Sequence, residues 1–389
     1  MTATVPSPTT PRGSGARRFL ADLEGRHQVF EHLTPNWFAA VMGTGIVATA
    51  AVSLPASSTA LTVFATVVWL LASVLLVMIS AAFVTHWIRH PHSARGYVRD
   101  PLMVQFYGAI PMACLTVGAG FLHLGRPVVG DSAATGIGVF LWCAGTLLGV
   151  ITSVWVPYAV MTSGHPERLP APAWLMPVVP PMVSASTGAA VVALAPEGQV
   201  RLALLSVCYM LFGISLVLGM MTLAIAYARL LRGAVPEGRS APTIWISLGL
   251  IGQSITAANL LGAVATTVFT GPERFIGLVL RAFGVAYGLP MAGFGVAMFI
   301  LAVAITVRTV RRGLPFALTW WSFTFPIGTC VTGLSALGAV LGATPFKDAA
   351  DVLYVVLVFA WIVVAVRTAH GAYRGRVFLP VPAASSVAT

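Results

Sequence analysis

Long uncharged apolar runs are the feature of this sequence that most restricts its fold. Each run is bounded by charge or by Pro and Gly. A helix needs about 20 apolar residues to cross a hydrocarbon core of roughly 30 Å, and the runs reach that length. We predict ten transmembrane helices, at residues 35-54, 60-86, 102-122, 135-161, 173-195, 201-228, 242-268, 276-306, 316-341 and 350-369.

Composition supports lipid as the solvent of this fold. Hydrophobic residues make up 58% of the 389 positions and charged residues 8%, and the mean hydropathy is +0.90. A water-soluble domain carries about three times that share of charge. We therefore predict a membrane domain at residues 31-376, between disordered cytoplasmic tails at residues 1-30 and 377-389. The four cysteines all lie inside apolar runs without paired spacing, which predicts packing residues.

The basic residues predict the topology. With the amino terminus inside, seventeen of the 22 Lys and Arg residues fall in inner segments and four in or beside outer loops. This bias follows the positive-inside rule and predicts a multi-pass protein of the cell membrane with both termini in the cytoplasm. The same spread over many short segments argues against a nucleic-acid partner, which would need one basic stripe.

The odd-numbered spans share a loose repeat, in which an aromatic residue precedes a helix break and then small or hydroxylated residues. The five copies are Pro35-Asn36-Trp37-Phe38 with Gly43-Thr44-Gly45; Phe106-Tyr107 with Pro111 and Thr116; Trp174 with Pro180-Pro181, Ser184, Ser186 and Thr187; Trp245 with Gly249, Gly252, Gln253, Ser254, Thr256 and Asn259; and Trp320 to Pro326 with Gly328, Thr329 and Thr332. Broken helices free backbone polar groups that lipid cannot satisfy. We predict that the odd helices form a five-fold inner ring, although small residues also serve plain helix packing.

The ionisable residues lie away from the predicted membrane centre. All eleven Asp and Glu residues fall in tails, loops or first turns, and the eight histidines lie at span ends or in loops. Proton-driven carriers and cation pathways usually place such groups inside spans. The absence of such groups from the span interiors favours passive or weakly coupled movement of anions. The absence of histidines there also counts against axial haem ligands, so no cofactor or metal is expected. A membrane enzyme would need a reactive cluster at the membrane face, and the basic turn from His86 to His92 is a poor one, so no enzyme activity is expected.

Uncharged polar groups and freed backbone amides are then the expected anion contacts, which keeps binding weak enough for release. The candidate anion contacts are Thr44, Thr116, Ser184, Thr187, Gln253, Asn259, Thr324 and Thr329. Pro111, Pro181, Gly252 and Pro326, which mark the breaks, are further candidates for the pore lining. Arg281 is the one basic residue that lies more than one helical turn from both ends of a predicted span. It either attracts anions to the pore mouth or snorkels to the interface, and the second reading is favoured.

The segments Pro35 to Ile46 and Trp320 to Pro326 resemble the tellurite-resistance/dicarboxylate transporter family, which contains TehA-like proteins and slow-type anion channels. The resemblance implies five helical hairpins around a central pore, usually in a homotrimer, for small inorganic or dicarboxylate anions. It implies that Phe325 is the gate and that Gly43, or else Gly45, makes room beside it. Two modes stay open: an anion channel, or a proton-coupled secondary carrier for C4-dicarboxylates, sulfite or tellurite-related anions.

Overall fold

The computed structural model describes residues 20–23, 25, 28–56, 58–162 and 170–379. These residues are almost entirely helical, and no strand occurs among them. Residues 1–19 and 380–389, most of the two predicted tails, lie outside the described residues, so their disorder stays a prediction. Ten main helices follow in chain order: α1 (Phe38–Ser53), α2 (Thr59–Arg89), α3 (Ala109–Leu124), α4 (Asp131–Thr162), α5 (Pro180–Leu194), α6 (Gln199–Leu231), α7 (Ile246–Val268), α8 (Arg274–Arg311), α9 (Phe325–Leu341) and α10 (Thr344–Arg374).

Length and composition separate α5 from the other nine main helices. Together with the 3-10 segments that precede them, nine helices in the described part of the chain are long and apolar enough to cross a membrane. Helix α5 has only 15 residues, because the chain from Pro172 to Val179 forms a 3-10 turn and bends before the helix begins at Pro180. The predicted span 173-195 thus contains a shorter apolar helix. In the described part of the chain, nine of the ten predicted crossings are supported by helix length and composition.

A short 3-10 segment precedes every odd-numbered helix. These segments are Pro35–Trp37, Met103–Gly108, Pro172–Leu175, Gly238–Trp245 and Leu318–Phe323. The predicted interruptions at Gly43-Thr44-Gly45 and Pro111 are therefore misplaced, since α1 and α3 run through them without a break. Pro180 and Pro326 lie in the first turns of α5 and α9, where a missing N–H costs no hydrogen bond.

Burial divides the helices into two groups. In an apolar 18-residue stretch of each span, 83% of the residues are buried for the spans that contain α1 and α7 and 67% for those that contain α3 and α9, whereas the share is 22–33% for the even-numbered spans. Most exposed large apolar side chains, such as Val77, Met161 and Ile300, lie on the even-numbered helices. An exposed apolar face of this extent fits contact with lipid tails.

The odd-numbered helices close into a ring by their packing. Helix α1 packs against α3, α3 against α5, α5 against α7, α7 against α9, and α9 returns to α1. Each odd helix also packs against the even helix that follows it in the chain. The space enclosed by α1, α3, α5, α7 and α9 is therefore the place to look for a site.

Candidate functional site

A cavity of about 500 Å³ lies among the carboxyl-terminal halves of the five ring helices, and we call it the upper cavity. Each ring helix contributes residues three or four positions apart, such as Gln253, Thr256 and Leu260 of α7. This spacing places the side chains on one face of a helix. The polar lining residues are Thr49, Ser53, Thr116, His123, Ser186, Thr187, Gln253, Thr256, Thr332 and Ser335. No Asp, Glu, Lys or Arg of the described chain lines it, as expected for an uncharged conduit.

Most hydroxyl groups in the upper cavity already donate to protein oxygens. The hydroxyl of Thr116 donates to the Met112 carbonyl at 2.8 Å, and that of Thr187 donates to the Val183 carbonyl at 2.7 Å. The hydroxyls of Thr256 and Thr332 bond across α7 and α9 at 2.8 Å. An anion in this cavity would have to compete with these acceptors, so the cavity offers weak binding, which suits passage more than storage.

An apolar constriction follows directly below the upper cavity, and we call it the neck. Its free volume is only about 10 Å³, which is close to the minimum that holds one water molecule. All five ring segments line the neck, with Met42, Met112, Val179, Gly249 and Phe325 among the contributors. A hydrated anion has no room there in this conformation.

Phe325 is the residue that lines both the neck and the upper cavity. Its side chain is buried, and the hypothetical Cβ of Gly249 would lie 4.0 Å from its Cδ1 atom. Phe325 is the first residue of α9, and Pro326 follows it in the first turn. Phe323, two residues earlier, instead packs edge-on against Trp245 and Trp320. The change from 3-10 to α-helix between these residues thus directs Phe325 to the neck and Phe323 to the aromatic side chains of Trp245 and Trp320.

A second large cavity, of about 480 Å³, lies at the amino-terminal ends of the 3-10 segments that precede α1, α3, α7 and α9, and we call it the lower cavity. Its lining includes Asn36, Met103 and Thr319, and the neck is lined by the residues three positions later, Ala39, Phe106 and Ser322. Three residues make about one helical turn. The lower cavity, the neck and the upper cavity therefore succeed one another along the same helix faces.

Charged and titratable groups gather in the lower cavity. Asp22, His32, Arg239 and Arg376 line it. Nδ1 of His32 lies 3.3 Å from the hydroxyl of Tyr97. Burial, aided by nearby Asp100 and Glu31, raises the pKa of Tyr97 to about 12. The Tyr97 hydroxyl beside His32 therefore stays neutral. With two guanidinium groups against one carboxylate, the lower cavity has a positive balance of fixed charge.

The predicted site residues fall into two groups by position. Thr116, Thr187 and Gln253 line the upper cavity, Pro326 lines the neck, and Phe325 lines both. The other predicted ring residues are buried between helices: Gly43, Thr44, Gly45, Pro111, Pro181, Ser184, Gly252, Asn259, Thr324 and Thr329. For example, Thr44 accepts a hydrogen bond from Trp361 Nε1 of α10 at 3.2 Å. Arg281 is exposed on α8 and lines none of the three spaces.

Seven polar residues that line the upper cavity were not among the candidates: Thr49, Ser53, His123, Ser186, Thr256, Thr332 and Ser335. Helical spacing would have found some of them. Thr256 lies three residues after Gln253, and Thr332 lies seven residues, or about two turns, after Phe325. In the described part of the chain no group of three or more His, Cys, Asp or Glu residues could hold a metal ion.

Close helix contact explains why several candidate glycines lie away from the cavities. A Cβ on Gly252 would lie 2.5 Å from the Thr329 carbonyl carbon and the Cys330 backbone nitrogen. We expect Gly252→Ala to lower the free energy of unfolding by about 1–3 kcal/mol, because backbone atoms of α7 and α9 must separate. Gly213→Ala, on α6 with nothing within 4 Å, is the matched control. Denaturant unfolding in detergent would measure both, and equal stability of the two variants would contradict this packing.

Comparison with known proteins gives one family. The family described as SLAC1, voltage-dependent anion channel, matches residues 32–369. The sulfite efflux pump SSU1 of Arthroderma otae is 27% identical over 86% of this chain and 90% of its own length. The uncharacterized transporter MJ0576 of Methanocaldococcus jannaschii is 27% identical over 92% of this chain and 99% of its own length. The malic acid transport protein of Schizosaccharomyces pombe is 21% identical over 86% of this chain and 77% of its own.

The match runs from the residue before Leu33 to the last turns of α10, and so includes all five ring helices, the neck and most of the lower cavity lining. The resemblance seen in the segments Pro35 to Ile46 and Trp320 to Pro326 is confirmed, and the chain belongs to the SLAC1 family of voltage-dependent anion channels and tellurite-resistance/dicarboxylate transporters.

Proposed function

We propose that this protein passes small anions across the cell membrane through a pore enclosed by α1, α3, α5, α7 and α9, and that Phe325 closes the pore. The observation that carries the proposal is the neck, where a free volume of about 10 Å³ separates cavities of about 480 and 500 Å³. Apolar constrictions of this kind block ions by excluding water. Phe325 lines the neck at its boundary with the upper cavity.

The proposed architecture is ten transmembrane helices arranged as five hairpins with quasi-five-fold symmetry. The ring contacts and the burial difference between odd and even helices support it. Both termini face the cytoplasm in this proposal, because most basic residues lie at the end of the bundle that holds the lower cavity. We propose a homotrimer with one pore in each subunit, on the resemblance to the family.

A secondary carrier is the second candidate function. The names of two relatives, a sulfite efflux pump and a malic acid transport protein, favour it. In the described chain His123 is the one titratable side chain that lines the upper cavity. Proton coupling within the upper cavity would therefore have to involve His123, near the end of α3, because no carboxylate of the described residues lines that cavity.

Flux measurements on purified protein in liposomes test the function and separate its two modes. A channel should give currents whose reversal potentials follow the gradients of chloride, nitrate, sulfite or malate, without dependence on a pH gradient. A carrier should show anion uptake that rises with an imposed pH gradient. The absence of anion flux in either form from folded protein would overturn the proposal.

A further inference from the structure

The lower cavity contains an unusual arrangement of charge for a passage that is otherwise uncharged. Two guanidinium groups, of Arg239 and Arg376, and one carboxylate, of Asp22, line this cavity of about 480 Å³. Among the described residues, Arg239 has no ion-pair partner. The nearby Glu237 is already paired with Arg312 at 3.3 Å. The lower cavity therefore keeps uncompensated positive charge at the entrance that leads to the neck.

Asp22 is held in this cavity by backbone contacts. The N–H of Leu20 donates to the Tyr373 carbonyl at 2.8 Å, and the N–H of Asp22 donates to the Arg374 carbonyl at 3.0 Å. The side chain of Leu23 lies against Gly375. The amino-terminal segment thus lies along the end of α10 and directs the Asp22 carboxylate to Arg376.

Arg376 is held from the other side. Its Nε lies 2.6 Å from Oδ2 of Asp22. Two residues later, Phe378 stacks on Trp37 with ring centroids 5.3 Å apart and an interplanar angle of 13°. Trp37 ends the 3-10 segment that leads into α1. The Arg376 side chain therefore has a fixed place at the entrance, and it is 61% exposed to solvent.

We propose that the lower cavity is an anion-docking site, in which Arg376 and Arg239 receive the incoming anion and Asp22 occupies Arg376 until an anion displaces it. This inference rests on the proposed function. The ligand class is a small oxyanion, because two oxygens of such an anion match the fork of a guanidinium, whereas a halide makes one contact. An exposed pair of this kind is weak, so exchange between Asp22 and the anion is easy.

The test compares Asp22→Asn with the unchanged chain in liposome flux assays with nitrate on the side of the lower cavity. We expect the nitrate concentration for half-maximal flux to fall about two- to fivefold at low ionic strength, the range of exposed ion pairs. The change should shrink as inert salt is added. With chloride the effect should be smaller. In an Arg376→Gln background, Asp22→Asn should have no effect on half-maximal flux, because the guanidinium that pairs with Asp22 is absent.

Asp131→Asn is the matched control, since it breaks the exposed Arg126–Asp131 pair of 2.8 Å at the opposite end of the bundle. A shift equal to that of Asp22→Asn, or a shift that persists with Arg376→Gln, would overturn the docking site. All variants are also measured with Phe325→Ala. If Phe325→Ala protein carries no anion flux, the proposed pore is contradicted. If it conducts anions while Asp22→Asn leaves the half-saturating nitrate concentration unchanged, only the docking site is contradicted.

Discussion

Replacing Phe325 by alanine is expected to raise anion flux at least about tenfold, which corresponds to a barrier lowered by about 1.4 kcal/mol. The ring is the group that lines both the neck and the upper cavity, and the neck retains only about 10 Å³ of free volume. Removing it joins the neck to a cavity of about 500 Å³ and lets water enter. Currents or radiotracer flux in liposomes measure the effect. Phe325→Leu, which keeps part of the bulk, should give a smaller rise.

Phe323→Ala is the control for this prediction. Phe323 lies two residues away but packs against Trp245 and Trp320 and lines neither the neck nor the upper cavity. Its loss should affect stability without opening the path. Gel filtration establishes that each variant is folded. Equal flux from folded Phe325→Ala and unchanged protein would contradict the gate, and equal gains from Phe323→Ala would show a general loosening of the bundle.

A phenylalanine introduced on the opposite side of the neck should close the opened form again. Gly249 lies across from Phe325, and a Cβ there would meet only Pro326 Cγ at 3.8 Å and Phe325 Cδ1 at 4.0 Å. The space left by Phe325→Ala can therefore accept a ring from α7. We expect the double variant Gly249→Phe and Phe325→Ala to lose most of the added flux. Its anion flux should be about tenfold lower than that of Phe325→Ala alone and close to that of the unmodified protein.

The same glycine replacement on the outer surface controls for added bulk. Gly293 of α8 is exposed and has nothing within 4 Å. Gly293→Phe combined with Phe325→Ala should conduct as well as Phe325→Ala alone. If Gly249→Phe fails to reduce the flux of folded Phe325→Ala protein, the anions do not pass through the neck between Gly249 and residue 325.

The general architecture was open to prediction from the sequence because lipid imposes strong rules. The alternation of polar, broken spans with plain ones predicted which helices are buried, and burial follows it. The repeated 3-10 segments were missed, since Pro and Gly mark irregular backbone without fixing its position. Pro111 lies inside α3, whereas in α9 the helix starts just before Pro326.

The cavity lining was predicted only in part, because residue type alone does not give direction on a helix. Thr116 faces the upper cavity, but Thr44 turns to Trp361 and Thr329 donates to the Leu248 carbonyl at 3.2 Å. Small and hydroxylated residues serve helix packing as well as pores. The Asp22–Arg376 pair had no local signal, since its residues are 354 positions apart.

Accessibility of one cysteine from the two sides of the membrane tests the central claim most directly. Thr332 lines the upper cavity, and the native Cys114, Cys143, Cys208 and Cys330 are first replaced by alanine. With Phe325 present, Thr332→Cys should react with a membrane-impermeant thiosulfonate only from the side of the upper cavity. With Phe325→Ala it should react from both sides. Reaction from both sides while Phe325 is in place, or from neither side in either form, would contradict a water-filled path closed by this ring.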